Sequence, residues 1–182
     1  MKKIFIYFSL SNNGDIIAEE FKKKGYEIRK VISKIKYPKN MLMSMLIGGY
    51  RSSFNKKDKL INFDNNLSSY EKIVIGSPIW NDRISAPING VLDVVDLNNK
   101  NVEFVLYSAS GIANNAKDKI KALYNKDAIV LKEPKKNKDE LLKLKDIFGW
   151  FIHKFKWGDW LGKVFIMIFF FFFINLLMKT VK

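Results

Sequence analysis

Four short stretches of this chain are apolar at consecutive positions, and they constrain the fold more than any other feature. They are residues 4–8, 73–75, 104–107 and 128–131. An uninterrupted apolar run predicts a strand that is buried on both faces, because a strand with one wet face alternates apolar and polar side chains. A fifth stretch, residues 26–32, mixes charged and apolar side chains and therefore predicts a strand at the edge of the sheet.

Helical patterns separate these strands. Residues 15–24, 84–94 and 114–124 carry apolar side chains three or four positions apart, and a further helix is predicted after Pro134, near Lys138. This alternation favours right-handed crossovers that place helices on both faces of a parallel sheet. We therefore predict an α/β fold with three layers: a doubly wound sheet of five parallel strands in the order 2-1-3-4-5, with helices on either side. In that order, ligands bind beyond the carboxyl ends of the strands where the winding reverses.

Three loops of mainly small and polar residues follow strands at this edge. Their residues are Ser9, Leu10, Ser11, Asn12, Asn13 and Gly14 after strand one, Pro78, Ile79, Trp80 and Asn81 after strand three, and Ser108, Ala109, Ser110 and Gly111 after strand four. Hydroxyls and backbone amides at the N-terminus of a helix favour phosphate. Three such loops at one sheet edge predict a cofactor of the nucleotide type.

Composition narrows the possible chemistry. Lysine and arginine total 32 against 18 aspartate and glutamate, a formal net charge of +14, which favours anionic partners, although a solvated basic surface explains the same excess. The absence of cysteine excludes disulfides and thiolate catalysis, and one histidine, His153, argues against a transition-metal site. Neither Gly-x-Gly-x-x-Gly after strand one nor a P-loop motif is present, which argues against dinucleotide and nucleoside triphosphate sites.

With these loops the chain resembles the flavodoxin family over about residues 1–146. The phosphate loop of that family reads approximately Ser/Thr-x-Thr-Gly-Asn-Thr. In this chain Asn12 stands where glycine is usual and Gly14 where threonine is usual. Asparagine tolerates a left-handed backbone and glycine exposes its amide, so a phosphate nest can survive both departures.

The other two loops also resemble loops of the family. In related proteins an aromatic residue at the position of Trp80 lies against the isoalloxazine, and Pro78 would stiffen that turn. Residues 107–111 resemble the loop whose backbone contacts the pyrimidine edge of the flavin. A purely structural role for Trp80, beneath its loop, is the alternative.

The resemblance implies FMN as the cofactor and electron transfer by a flavodoxin-like oxidoreductase. Ser9, Ser11 and the amides of residues 12–15 would hold the phosphate, with Asp15 pointing away. We predict no catalytic acid or base and no metal ligand.

The expected partner is a redox protein or a small-molecule electron acceptor. Because familiar flavodoxins are acidic, the basic charge shifts this expectation toward acidic proteins, small oxidants or an anionic membrane surface. Nucleic acid is not expected.

Two other functions stay open. The first is a membrane-docked flavin dehydrogenase that passes electrons to quinone, similar to the menaquinone-linked protoporphyrinogen dehydrogenases. The second is a flavodoxin-fold module that has lost FMN and binds anionic lipid or nucleic acid through its lysines. A flavin spectrum in the purified protein would exclude the second.

Two segments depart from the regular pattern. Residues 37–63 contain a Met-rich apolar piece and a basic stretch, which we interpret as a helix packed on the sheet or as a flexible lid. From residue 148 the chain is aromatic and basic, and residues 164–178 are then apolar except for Asn175. That run is shorter than the roughly 17 residues needed to span a bilayer.

For this tail we consider membrane attachment, an extra helix packed on the domain, and a segment with no selected role. The predicted organisation is a cofactor-binding domain, residues 1–147, followed by the tail, residues 148–182. The apolar stretch at the N-terminus is too short for an export signal, so we expect a cytoplasmic protein. The tail is the candidate attachment to the inner face of the membrane.

Overall fold

A computed structural model describes residues 2–38 and 40–148. The chain divides into two compact units, Met1–Lys145 and Asp146–Lys182, and the first contains the elements described below. No helix among the described residues is both long and apolar enough to cross a membrane. The predicted tail lies outside the described residues except for residue 148, so its attachment role stays a prediction.

Strands and helices alternate along the first unit. The strands are β1 (Lys3–Tyr7), β2 (Glu27–Lys30), β3 (Lys72–Trp80), β4 (Arg83–Ile84), β5 (Asn101–Ser108) and β6 (Ala128–Lys132). The helices are α1 (Asn13–Lys23), α2 (Met41–Ser53), α3 (Ala86–Val94) and α4 (Asn114–Tyr124), followed by a 3₁₀ helix over Lys138–Lys145. The predicted helix over residues 114–124 is therefore confirmed at both ends.

The sheet has the order β2-β1-β3-β5-β6, with all of these neighbours parallel, and β4 pairs antiparallel with β3 outside that path. The predicted fold class and the order of five parallel strands are confirmed. Tyr7 lies opposite Gly76, and Pro78 lies opposite Tyr107. The carboxyl ends of β1, β3 and β5 are therefore neighbours, and the segments that follow these three strands leave the sheet at one edge.

Burial explains the uninterrupted apolar runs. Ile4, Ile6 and Ile75 are fully buried in one apolar cluster. The intervening Phe5 is also fully buried, and its ring stacks on Phe21 of α1 with centroids 4.3 Å apart. Helices thus cover both faces of β1, which removes the need for polar alternation. In β2 the two terminal residues are exposed, as expected for an edge strand.

The structure corrects the predicted loop after strand three. Residues 78–80, predicted as part of a loop, continue β3, because β5 pairs with β3 as far as Pro78 after β1 has ended at Tyr7. The chain then reverses at Asn81 and Asp82, whose φ angles of 50° and 59° suit a two-residue hairpin. The helix predicted from residue 84 accordingly begins two residues later, since residues 83 and 84 form β4.

The insert between β2 and β3 contains α2. Asn40 caps this helix, since its Oδ1 accepts a hydrogen bond from the Met43 amide at 3.2 Å. Ser44, Gly48 and Ser52 form the buried stripe of the helix. The insert therefore contains a packed helix, in agreement with the first of the two interpretations of its sequence. Movement of α2 as a lid stays a prediction.

Candidate functional site

The turn between β1 and α1, residues 9–14, contains a left-handed residue immediately before the helix. Asn12 has a φ of 64°, in the left-handed region that asparagine tolerates better than most side chains. Its carbonyl accepts the first helical hydrogen bond, from the Ile16 amide at 3.2 Å. A Cβ on Gly14 would lie 2.7 Å from the Tyr107 hydroxyl and 2.8 Å from the Tyr7 ring. Glycine therefore lets the first turn of α1 pack directly on the sheet.

This turn also presents hydrogen-bond donors. The Ser9 Oγ accepts from the Gly14 amide at 3.2 Å, and the Ser11 Oγ accepts from the Asn13 side chain at 3.0 Å. Accepting leaves the Ser11 hydroxyl hydrogen available to donate, whereas the Ser9 hydroxyl donates to the Asp15 carboxylate. Within the described part of the chain, the backbone amides of residues 11–13 donate to no protein acceptor. Donors at the positive end of a helix dipole favour an anion.

Asp15, the one acidic residue in the first turn of α1, is turned toward the strands. Its Oδ1 accepts from the Tyr7 hydroxyl at 2.9 Å and from the Lys30 ammonium at 2.5 Å. Burial by itself would raise the pKa of Asp15. Hydrogen bonds from Lys30, Ser9 and Tyr7, together with the charge of Lys30, outweigh burial and hold this pKa below its usual range. The carboxylate is thus ionised at neutral pH, and Lys30 offsets its charge.

Trp80 belongs to an aromatic cluster at the carboxyl end of β3. Its half-buried ring meets Phe8 edge-on at 5.9 Å and lies at 52° to Tyr37 at 5.4 Å. A Cβ on Gly48 would come within 2.6 Å of the same ring, so the backbone of α2 packs against it. These contacts suit a structural role beneath the loop, and stacking on a flavin stays a prediction.

The neighbours of Trp80 in the second predicted loop occupy three different settings. Pro78 is buried in β3, and Ile79 is half-buried opposite Ile84 of β4. Asn81 is exposed at the hairpin turn, where its Nδ2 donates to the Ser53 Oγ at the end of α2, at 2.6 Å. The hairpin and α2 are therefore joined directly.

The third loop is a tight turn held by its own serines. The Ser108 Oγ accepts from the Gly111 amide at 2.8 Å, and the Ser110 Oγ accepts from the Ile112 amide at 3.2 Å. Gly111 has a φ of 78°, which favours glycine. Ala109 and Ser110 are exposed. The exposed part of this loop could therefore face a ligand with backbone groups.

Contacts at the sheet edge join the first and third loops. The fully buried Tyr107 hydroxyl, on the strand that precedes the third loop, donates to the Phe8 carbonyl, which precedes the first. Burial raises the pKa of Tyr107 well above its usual range, which keeps this donor protonated. The Asn13 Oδ1 also accepts from the Lys135 amide at 2.9 Å, so the segment after β6 borders the first loop. No sequence pattern indicated this last contact.

Sequence reasoning also missed a buried carboxylate that positions the aromatic cluster. Asp58 accepts hydrogen bonds from the Ser33 and Tyr37 hydroxyls at 2.7 and 2.8 Å and from Arg51 at 2.9 and 2.5 Å. Its side chain is fully buried. These bonds join α2 to the segment after β2 and hold Tyr37 against Trp80. The sequence feature that could have indicated this carboxylate is that Asp58 is the one acidic residue in the basic stretch 51–59.

Comparisons with known proteins agree with this architecture. A family model described as flavodoxin matches residues 2–152. A crystal structure of a flavoprotein in complex with FMN from Lactobacillus acidophilus NCFM is similar, with 23% identity, 76% of this chain and 97% of that chain covered, and a TM-score of 0.56.

Two further crystal structures have the same fold. A candidate flavoprotein from Bacteroides uniformis ATCC 8492 shares 20% identity over 76% of this chain and 96% of that chain, with a TM-score of 0.60. One from Bacteroides eggerthii DSM 20697 shares 17% identity over 81% of this chain and 97% of that chain, with a TM-score of 0.61. Comparison with curated proteins gives no match.

Proposed function

Because the chain belongs to the flavodoxin family, we propose that it binds FMN at the carboxyl edge of its sheet and transfers electrons through that cofactor. The single observation that carries the proposal is the turn over residues 9–14. It combines a left-handed Asn12, serine hydroxyls, and backbone amides that donate to no acceptor in the described part of the chain, at the N-terminus of α1. A fold neighbour in complex with FMN supports the choice of ligand.

The residues present fit FMN in a defined way. The Ser11 hydroxyl and the amides of residues 11–13, which donate to no acceptor among the described residues, would hold the phosphate. The Lys30 ion pair and the Ser9 hydroxyl keep the Asp15 carboxylate turned toward the strands. The exposed backbone of the third loop would border one edge of the ring system, and Trp80 would lie at its side. FMN supplies one-electron and two-electron redox chemistry when bound, and the protein supplies binding, orientation and electrostatics.

The proposed partner is a redox protein or a small-molecule electron acceptor in the cytoplasm. The net charge of +14 favours an acidic docking surface on a protein partner, because opposite fields speed the encounter. This chain would therefore exchange electrons with partners unlike those of acidic flavodoxins.

A visible absorption spectrum of the purified full-length protein tests the cofactor. We expect the bands of oxidised flavin and release of FMN on denaturation. The apoprotein should bind FMN more tightly than riboflavin, because riboflavin has no phosphate for the turn to hold. Colourless protein that binds neither compound would contradict the proposal and leave the flavin-free module as the alternative.

A second candidate, a flavin dehydrogenase that delivers electrons to a quinone, is favoured by one observation. The inner face of α2 contacts Trp80 through Gly48, while the outer face of the same helix exposes large apolar side chains. An apolar acceptor could therefore approach close to the proposed flavin. Rapid reoxidation of the reduced protein by a soluble quinone, with no reduction of the protein by NAD(P)H, would support this candidate.

A further inference from the structure

Helix α2 buries its small residues and exposes its large apolar ones, which is the reverse of an ordinary surface helix. Its buried stripe consists of small residues, Ser44, Gly48 and Ser52. Its outer face carries large apolar side chains that are 47–66% exposed. They are Leu42, Met43, Met45, Leu46 and Tyr50, continued by Phe54 just after the helix. A surface helix in a soluble domain normally turns its apolar side inward, so this face is suited to an apolar partner.

No charge interrupts this outer face. Arg51 is the one charged side chain within α2, and it is directed to the buried carboxylate of Asp58 at 2.5 Å. At the C-terminal end, the rings of Tyr50 and Phe54 lie 4.8 Å apart and extend the apolar surface beyond the last turn. The face is therefore continuous along the helix.

The surroundings of the face are basic. Residues 28–57 include eight lysine or arginine residues and no aspartate or glutamate. Lys34, Lys36 and Lys56 are exposed on segments next to α2. The hydrogen bonds of Asp58 to Ser33 and to Arg51 hold the first of these segments beside the helix. An apolar face with a basic border is complementary to the surface of an anionic bilayer.

The length of α2 determines how it could meet a bilayer. Its 13 residues extend about 20 Å, whereas crossing the hydrocarbon core requires about 30 Å. The helix can therefore lie in the plane of the interface. Leucine and methionine side chains enter the acyl region without a matching pocket, which favours lipid over a protein partner of fixed shape.

We propose that α2 is an interfacial helix that docks this domain on an anionic lipid surface through the six side chains of its outer face. The proposal depends on the packing of α2 and requires neither bound FMN nor the segment after residue 148. Because the inner face of α2 contacts Trp80, docking would place the second predicted loop about one helix diameter, roughly 10 Å, from the lipid.

The absence of cysteine allows a test at single positions in the full-length chain. Leu46→Cys would carry a polarity-sensitive fluorophore, and Glu19→Cys, exposed on α1, would serve as the matched control. With vesicles of phosphatidylglycerol and phosphatidylcholine, we expect a blue shift at position 46 and quenching by lipids brominated in their acyl chains. Position 19 should show neither, and vesicles of phosphatidylcholine alone should give a weaker signal.

A second variant tests whether the domain contacts lipid through α2 or through another part of the chain. Met45→Glu places a charge in the middle of the outer face, where the wild-type side chain is 55% exposed, so folding should be unaffected. We expect the quenching of a probe at Leu42→Cys to fall about tenfold or more in this variant. Unchanged emission at position 46, while the protein still sediments with vesicles, would overturn the proposal. A blue shift that follows protein concentration without lipid would assign the face to a second copy instead.

Discussion

Among single residues, Asp58 has a fully buried carboxyl group that is paired with Arg51 and depends on the donors around it. Arg51→Ala would remove two of its four hydrogen bonds and leave a carboxylate with no countercharge in the interior. We expect a loss of about 3–5 kcal/mol in the free energy of unfolding, measured by urea denaturation. Lys56→Ala, at an exposed position, should change stability by about 0.5 kcal/mol or less. Equal losses in the two variants would contradict this role for Arg51.

A second prediction at this scale concerns the phosphate turn. Ser11→Ala should weaken FMN binding about tenfold to a hundredfold, because a hydrogen bond to a charged group contributes about 1.5–3 kcal/mol. Binding of riboflavin should stay unchanged, since riboflavin lacks the phosphate. Ser68→Ala, exposed in a loop between α2 and β3, is the control for titrations of the apoprotein. A matching loss of riboflavin affinity would indicate a general distortion rather than a lost phosphate contact.

At the scale of elements, alanine substitutions at two adjacent glycines of α2 test two different contributions to stability. The substitution at Gly48 tests the packing of the helix on Trp80, and the one at Gly49 tests the helix propensity alone. A Cβ at position 48 would come within 2.6 Å of the indole, whereas one at position 49 would meet no atom within 4 Å. Gly48→Ala should cost about 1–3 kcal/mol through overpacking. Gly49→Ala should stabilise the protein by about 0.5–1 kcal/mol, since alanine favours a helix.

The same pair of variants tests the predicted stacking of Trp80. If the indole stacks on FMN, Gly48→Ala should change both the affinity for FMN and its reduction potential, while Gly49→Ala changes neither. FMN titration and spectroelectrochemistry measure the two quantities. Identical flavin properties in a folded Gly48→Ala protein would assign Trp80 a purely structural role.

For the whole molecule, buried and half-buried phenols contribute to the response to alkaline pH. Burial raises the pKa of Tyr124 in the folded protein, so the unfolded chain releases this proton first as pH rises past about 10. The stability contributed by the neutral phenol is therefore fully present below pH 10 and is lost above it. Burial also raises the pKa of Tyr26, to about 12, so the same sign applies there.

Tyr124→Phe isolates one such phenol from the titration of the lysines. The ring should keep its contact with Phe104, whose centroid lies 5.2 Å away, so stability near pH 8 should change little. Above pH 10, urea denaturation should show a shallower loss of stability in the variant than in the wild type. Parallel pH profiles would show that this phenol does not contribute.

Much of the fold was predictable from the sequence because its signals are local. The apolar runs identified the buried strands, and the spacing in residues 114–124 gave both ends of α4. The three loops were assigned to one edge because parallel strands in this order place them there. The extension of β3 through Trp80 was not predictable, since it depends on pairing with β5 after β1 has ended.

By itself, the sequence determined the layers, the strand order and the first and third polar loops at the sheet edge, because burial on both faces and helical spacing are properties of neighbouring residues. Tertiary structure alone decided how Asp58 is satisfied, since its donors come from positions 7, 21 and 25 residues away. It also decided which side of α2 faces the domain. One side of this helix carries large apolar residues and the other side small ones. The Trp80 ring lies so close to the backbone at Gly48 that the small side must face the domain.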